Sequence, residues 1–523
     1  MRLEKQGASL IAHHERNQDA NLAHEPFSST QKSFLKLAKL YPARQNVWEL
    51  LKANWLKECG IPIRKPLTEN KIIVLEKLRK MRPIGIDLFA GAGGLTLGFE
   101  QAGFDVKAAV EIDPVHCAVH AFNFPETTVI PASVAELSGN EIRQRAGLVG
   151  KKIDCVFGGA PCQGFSLIGH RALDDPRNQL VLDFVRLVHE LDAESFVFEN
   201  VKGLTVGKHK AFLKELVGAF DRVGYDCRLP WRVLNAGHYG TPQSRERFIL
   251  MGVKKGRALP DYPAPTTNIA GRPKLYPELG FGPSCAEAIE DLPDADTFET
   301  LNTSDAVKTS RFGDPSDYAA ELRGLKNDAW HFGHVREWNP NVLTSSARTG
   351  HTEISRRRFR HTEEGTVEPI SRFFKLPQGG VSNTLRAGTD GARGAFTSPR
   401  PIHYRHARCI TVREMARLHG FPDWFRFNAT KWHGARQIGN AVPPPLTRAI
   451  ATKMIEALGI EPSRPEKSLS LGDPELLTLD LSRASRRFGI TPPPSKRDRK
   501  SGAKKRKQEE IEEEINAGRV AYG

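Results

Sequence analysis

Asp87-Leu88-Phe89-Ala90-Gly91-Ala92-Gly93-Gly94-Leu95 is the stretch on which the fold class turns. It closes an apolar run at 84–89 that has the length of a buried strand, and it opens a helix that reads to Gly103. Glycines at such a turn let the backbone approach a ligand closely. The spacing is GxGG and not GxGxxG, so a dinucleotide fingerprint fits poorly, and packing alone can make a tight turn glycine-rich. The next apolar run, 106–110, ends in Val110-Glu111-Ile112-Asp113. Glu111 follows the glycines by about twenty residues, where an acidic side chain can hold ribose hydroxyls. The alternative is a solvated loop carboxylate.

Outward from this pair, apolar runs at 153–157, 195–198 and 248–253 alternate with helical patterns. Val181, Phe184, Val185 and Val188 share one helix face; Phe212, Leu213, Leu216, Val217 and Phe220 share another. Alternation of this kind predicts an α/β fold with a doubly wound, mostly parallel, Rossmann-like sheet. From about 264 to 400 the rhythm gives way to Pro, Gly, Asp and short aromatic islands, which reads as a smaller loop-rich domain. Helical order returns at 411–420 and 444–458. The expected organisation is a helical extension over 1–80, a catalytic domain over 81–263, the inserted domain over 264–400, a return to the catalytic domain over 401–460, and a partly disordered charged tail over 461–523.

The chain has 523 residues and a formal net charge of +15, with a pI near 9.5. That balance suits a polyanionic partner. Residues 340–410 carry twelve basic and five acidic side chains, so the excess does not sit in the tail alone. Seven scattered cysteines without a CxxC pair argue against a disulfide framework or a metal site. Neither a signal peptide nor an apolar run of about 18 residues is evident, so a soluble, intracellular protein is expected.

Chemistry concentrates at strand ends. Gly158-Gly159-Ala160-Pro161-Cys162-Gln163-Gly164-Phe165-Ser166 follows the run 153–157. A thiol there is either a nucleophile on an open loop or a buried structural cysteine. Phe198-Glu199-Asn200-Val201 puts a carboxylate at the end of another strand, where it can act as an acid or hydrogen-bond partner. Arg245 and Arg247, two apart on an extended segment, point the same way and suit a phosphate or carbonyl oxygen. An ordinary ion-paired edge is the other reading.

Together these pieces resemble the C5-cytosine DNA methyltransferases, most closely the bacterial enzymes of restriction–modification systems. The matching stretches are Asp87–Phe99, Glu111, Gly159–Ser166, Glu199-Asn200-Val201, Gln243–Arg247, Thr411–Pro422 and Gln437-Ile438-Gly439-Asn440-Ala441-Val442-Pro443, in the family's order. The resemblance implies that Cys162 attacks C6 of a flipped-out cytosine, that Glu199 binds N3 and the exocyclic amine, and that Arg247 holds O2 with Arg245 in support or on a phosphate. It implies S-adenosylmethionine held by Phe89, Gly91, Gly93, Leu95, Glu111, Ile112, Asn440 and Val442. DNA contacts are expected from Gln163, Ser166 and Thr384, and from Arg356, Arg357, Arg358 and Arg360, the densest basic group. The implied partner is double-stranded DNA, with a restriction endonuclease as a functional partner and the enzyme a monomer on DNA. A tRNA cytosine methyltransferase and a catalytically silent DNA-binding regulator are the rival readings. One position departs from the family. Ser133 stands where an Asp usually contacts adenine.

Overall fold

The computed structural model describes residues 82–161, 179–205, 209–389 and 397–491. The expected helical extension, Cys162 with Gln163 and Ser166, and the tail beyond 491 lie outside the described residues.

Eight strands form one sheet: β1 (Ile84–Leu88), β2 (Asp105–Glu111), β3 (Thr128–Pro131), β4 (Cys155–Gly158), β5 (Ser195–Val201), β6 (Tyr225–Cys227), β7 (Arg232–Asn235) and β8 (Glu246–Lys254). Their order is β3-β2-β1-β4-β5-β8-β6, with β7 also on β8. The first five pair in parallel. β8 runs antiparallel to β5, β6 and β7. β1, β2, β4, β5 and β8 lie where the apolar runs predicted them. β6 and β7 are too short to show a period.

Five helices alternate with the strands: α1 (Gly94–Ala102), α2 (Pro114–Asn123), α3 (Gly139–Arg145), α4 (Gln179–Glu190) and α5 (His209–Arg222). The sheet is covered on both faces, which is why its parallel strands read as unbroken apolar runs. On one face Phe184 and Val188 of α4 and Phe212 and Phe220 of α5 pack on Leu88, Val156, Phe196 and Phe198. Each such side chain contributes about 1.5–3 kcal/mol when removed from water. The other face receives α1 and the last sheet-covering helix. Among the described residues five further helices precede that one, the first four being α6 (Cys285–Ile289), α7 (Asp317–Leu322), α8 (Glu353–His361) and α9 (Val412–His419). α10 (Lys431–Asn440) leads into the covering helix α11 (Pro444–Leu458), and α12 (Leu481–Phe488) is the last described helix. Leu95 and Phe99 of α1 and Leu446, Ile450 and Met454 of α11 share a core with Phe157, Val197 and Met251. Gly98 allows the approach, because a Cβ there would lie 2.4 Å from Thr447 Cβ.

The second lobe does not break from the sheet at 401. Ile289, Leu301, Leu343, Leu376 and Leu385 share one core with Ile410, Met415, Leu418, Phe421, Phe425 and Ile438. The same core takes in Leu97 of α1 and Phe124 after α2, so the aromatic cluster after α9 packs both on the insertion and on the helices of the sheet, while α11 covers the sheet itself. Charge is enclosed in this lobe but paired, as burial requires. Arg417 bridges Asp291 at 3.0 Å and Asp423 at 2.6 Å. Arg336 grips both oxygens of Glu100 in α1, at 3.0 and 2.7 Å, and lies over the ring of Trp424.

Within the expected tail, the chain packs on the rest of the protein up to residue 491. Leu469–Ser470 pairs in parallel with Arg336–Glu337. Leu476, Leu477, Leu479 and Ala484 are buried against α2.

Candidate active site

The turn after β1 is shaped by left-handed backbone. Phe89, Gly91 and Gly93 have φ of 62°, 55° and 102°. At Phe89 this conformation is unusual for a residue with a side chain and stores strain of order 1 kcal/mol. At Gly91 an added Cβ would meet open space, so the dihedral and not crowding asks for glycine there. At Gly93 a Cβ would lie 2.4 Å from Phe124, and at Gly94 2.7 Å from the carbonyl oxygen of Val442. The loop is thus pressed between α2 and the start of α11. The Leu95 side chain lies in the core beneath, which leaves its backbone N–H, in the first turn of α1, facing the loop's side.

Glu111 ties the loop to β2. Its Oε2 accepts from the Gly91 N–H and its Oε1 from the Asp113 N–H, both at 2.8 Å. Burial pushes its carboxyl above the usual value, and the neighbouring His116 draws it back in part. It is not a solvated loop carboxylate. Each oxygen keeps a lone pair for a further donor. Ile112 beside it is exposed, 61 % of its surface open, which is unusual for an apolar residue next to a buried acid. Asp113 caps α2 through Val115 at 2.9 Å. Asn440 is exposed at the end of α10, and Val442 is buried. Ser133 caps the turn Val134–Glu136, its Oγ accepting from the Ala135 N–H at 3.3 Å.

The other half of the cleft lies at the ends of β4, β5 and β8. Glu199 is almost enclosed, and its Oε1 takes the Arg247 Nε–H at 2.8 Å. Burial raises the Glu199 carboxyl above its ordinary value, while Arg247 and Arg245 oppose that. A Cβ at Gly159 would lie 2.5 Å from Glu199 Oε2, so this glycine makes room for the acid. Asn200 donates from Nδ2 to the carbonyl of Ala160 at 3.0 Å. That bond fixes the chain two residues before Cys162. Among the described cysteines, Cys155 is sealed in β4 and burial pushes its thiol up to about 12. It cannot supply a thiolate near neutral pH.

Arg245 does not share a free face with Arg247. It is fully buried, donating to the carbonyls of Leu385 (2.9 Å), Gly439 (2.7 Å) and Ala441 (2.8 Å). A phosphate role is therefore not open to it. The strand β8 begins at Glu246, so the alternation that would align the two arginines does not extend back to Arg245. Two partners in this knot escaped the sequence reading. Gln243 accepts from the Leu385 N–H at 3.0 Å and reaches His419 Nδ1 at 2.9 Å, and His419 Nε2 meets Ala441 O at 3.1 Å. Burial and nearby Arg245 keep His419 well below the ordinary histidine value, hence neutral. A buried Gln beside a buried His carries no periodic signal that would reveal it in advance.

The chain matches the C-5 cytosine-specific DNA methylase family over residues 84–456. It belongs to that family. The methylase is 56 % identical to the Type II methyltransferase M.XorII of Xanthomonas oryzae over 410 residues, covering 78 % of this chain and 93 % of that one. It is 31 % identical to M1.HphI of Haemophilus parahaemolyticus, another Type II methyltransferase, over 71 % of this chain and 86 % of that one. A crystal structure described as a prophage-encoded DNA modification methyltransferase of E. coli superposes with a TM-score of 0.57 at 32 % identity, covering 72 % of this chain and 99 % of the other. The methylase is an enzyme, a DNA (cytosine-5)-methyltransferase. Among its described residues no helix is long and apolar enough to cross a membrane.

The second lobe corrects one expectation about DNA contacts. The methylase places Arg356, Arg357, Arg358 and Arg360 on α8, where residues two apart cannot share a face. Arg356 pairs with Asp296 at 2.9 Å and Arg358 with Glu368 at 3.4 Å, both partly buried. Those two anchor the helix. Arg357 and Arg360 are exposed, Arg360 beside Glu353. Thr384 is exposed and donates to Ser244 O at 2.8 Å, next to the Arg245 knot.

Proposed function

We propose that the methylase carries a methyl group from S-adenosylmethionine to C5 of a cytosine flipped out of a specific duplex sequence, through a covalent bond between Cys162 and C6. The observation that carries this reading is the Glu199–Arg247 pair, held open by Gly159 at the strand end that leads into Cys162. C5 of cytosine is a poor nucleophile until a thiolate adds at C6 and makes C5 enamine-like. Negative charge then builds on N3 and O2. Glu199, with its raised carboxyl, lends a proton toward N3, and Arg247 holds O2. After methylation, loss of the C5 proton and expulsion of the thiolate restore the aromatic ring. A base inside the stack cannot be reached this way, hence the flip.

The cradle suits S-adenosylmethionine on its own residues. Phe89, Gly91 and Gly93 offer close backbone approach, Glu111 has acceptor capacity for ribose hydroxyls, exposed Ile112 offers an apolar surface to adenine, and Asn440 and Val442 flank the methionine end. Bound there, the cofactor supplies an electrophilic methyl group. Ser133 provides no carboxylate for adenine, so that contact rests on Ile112 and backbone. The lobe from 264 to about 400 selects the sequence. In the cell the activity would protect DNA from a cognate endonuclease, the enzyme being soluble and acting as a monomer on DNA.

The test is a duplex carrying 5-fluorocytosine, in which fluorine blocks the final elimination. With S-adenosylmethionine, wild-type protein should form a denaturant-resistant adduct, and Cys162→Ser should form none while still binding DNA. An adduct mapped to Cys155, or one that persists in the Ser variant, sinks the assignment. Label transfer offered to duplex DNA and tRNA in parallel should favour DNA.

A further inference from the structure

The family match ends at residue 456, yet the chain beyond it lies against three parts of the cofactor cradle. The segment enters at Gly472, whose N–H donates to Phe122 O at 2.8 Å, and whose missing Cβ would lie 2.9 Å from Phe122 Cα. Leu476, Leu477, Leu479 and Ala484 are then buried together with Val115, Ala118, Val119 and Phe122 of α2 and with Ala92 of the glycine turn. α2 starts directly after Glu111 and Asp113, so its seat governs where the Glu111 carboxylate stands. The third part is the turn before α10. Leu477 O accepts from the Ala429 N–H at 2.8 Å, and Leu479 O accepts from Asn428 Nδ2 at 3.1 Å. Asn428 in turn receives Thr430 Oγ at 2.8 Å, and Thr430 caps α10, which ends in Asn440. α12 closes the contact by packing on α2.

We infer that residues 471–488 are a strap that positions the S-adenosylmethionine cradle, joining the glycine turn, the Glu111 helix and the Asn440 helix from behind. None of its side chains need touch the cofactor. The inference rests on the cofactor reading above.

The test uses the full-length protein with Leu477→Ala, its conservative partner Leu477→Met, and a control cavity elsewhere, Leu343→Ala in the second-lobe core. Calorimetry with S-adenosylmethionine should show Kd raised about tenfold or more by Leu477→Ala, the scale of a misplaced binding group. Leu477→Met should restore it, and Leu343→Ala should leave it unchanged despite a similar fall in Tm. Turnover at saturating S-adenosylmethionine and DNA affinity should stay near wild type, giving a KM effect without a kcat effect. Asn428→Ala carries the same expectation should Leu477→Ala not fold. An unchanged cofactor Kd in the strap variants overturns the inference. Glu111→Gln separates the two ideas. If it weakens cofactor binding while the strap variants do not, the strap alone falls; if it too has no effect, the cofactor reading falls with it.

Discussion

A Cβ at Gly158 would sit 2.1 Å from the carbonyl oxygen of Leu88, whereas one at Gly159 would sit 2.5 Å from Glu199 Oε2. The first obstacle is strand backbone and cannot move without parting β1 from β4. Gly158→Ala should therefore cost about 1–3 kcal/mol of stability, read as a lower Tm. The second obstacle is a carboxylate that can be pushed off Arg247. Gly159→Ala should keep a near wild-type Tm and lower kcat about tenfold to a hundredfold; a normal kcat would mean the acid is not used where it stands. A third residue-scale expectation concerns pH. Asp87 is sealed beneath the glycine turn, and burial raises its carboxyl to about 8 against the hydroxyl of Thr96 at 2.6 Å. Its folded value lies above its unfolded one, so the stability it contributes is full below pH 4 and is lost as pH rises toward 8. Asp87→Asn should remove that slope. Chemical denaturation of both proteins across this range should show the Asn variant gaining on wild type; parallel curves would refute it.

At the scale of elements, the start of β8 separates two arginines that look alike in sequence. Arg245→Met strands the carbonyls of Leu385, Gly439 and Ala441 and should cost about 3 kcal/mol or more. Arg247→Met should cost less, because Glu199 can take up a proton, and should instead lower kcat. Equal Tm losses for the two would contradict this division. The central strands and the glycine turn were legible because their signals are local. An apolar run or a glycine turn declares itself within a few residues. The Arg245 knot was not legible, since its three carbonyls come from 140 to 196 residues away. The strap was hidden for a related reason: Leu476, Leu477 and Leu479 gain meaning only beside α2. α8 shows the reverse case: a dense local signal led to all four arginines being expected on DNA, whereas Arg356 and Arg358 are ion-paired and partly buried.

For the whole molecule, the shared core of 285–301 with 410–438 bears on how recognition can be moved between enzymes. A chimera that exchanges 264–400 cuts between Leu385 and Ile410 of that core, whereas one that carries 264–440 leaves only its contacts with Leu97 and Phe124 to be matched. The longer exchange should yield soluble protein that methylates the donor's sequence, mapped by bisulfite conversion; retention of the present sequence would place recognition elsewhere. Within the lobe, Arg357→Ala should reduce the salt dependence of DNA binding by about one charge. Arg356→Ala should mainly lower Tm, because it releases Asp296.

α1 is buried along its whole length, between the sheet, α11 and the Arg336 anchor from the second lobe. On the ribosome its partners arrive late: Arg336 is made some 240 residues after it begins, and α11 another hundred later. Until then the glycine turn has no lid on its far side, and Leu95, Leu97 and Phe99 face water. A nascent chain of this protein thus has Cys162 and Glu199 long before it has the partners that seat α1. Chains released before α11 is made should therefore offer chaperones and proteases an exposed apolar helix.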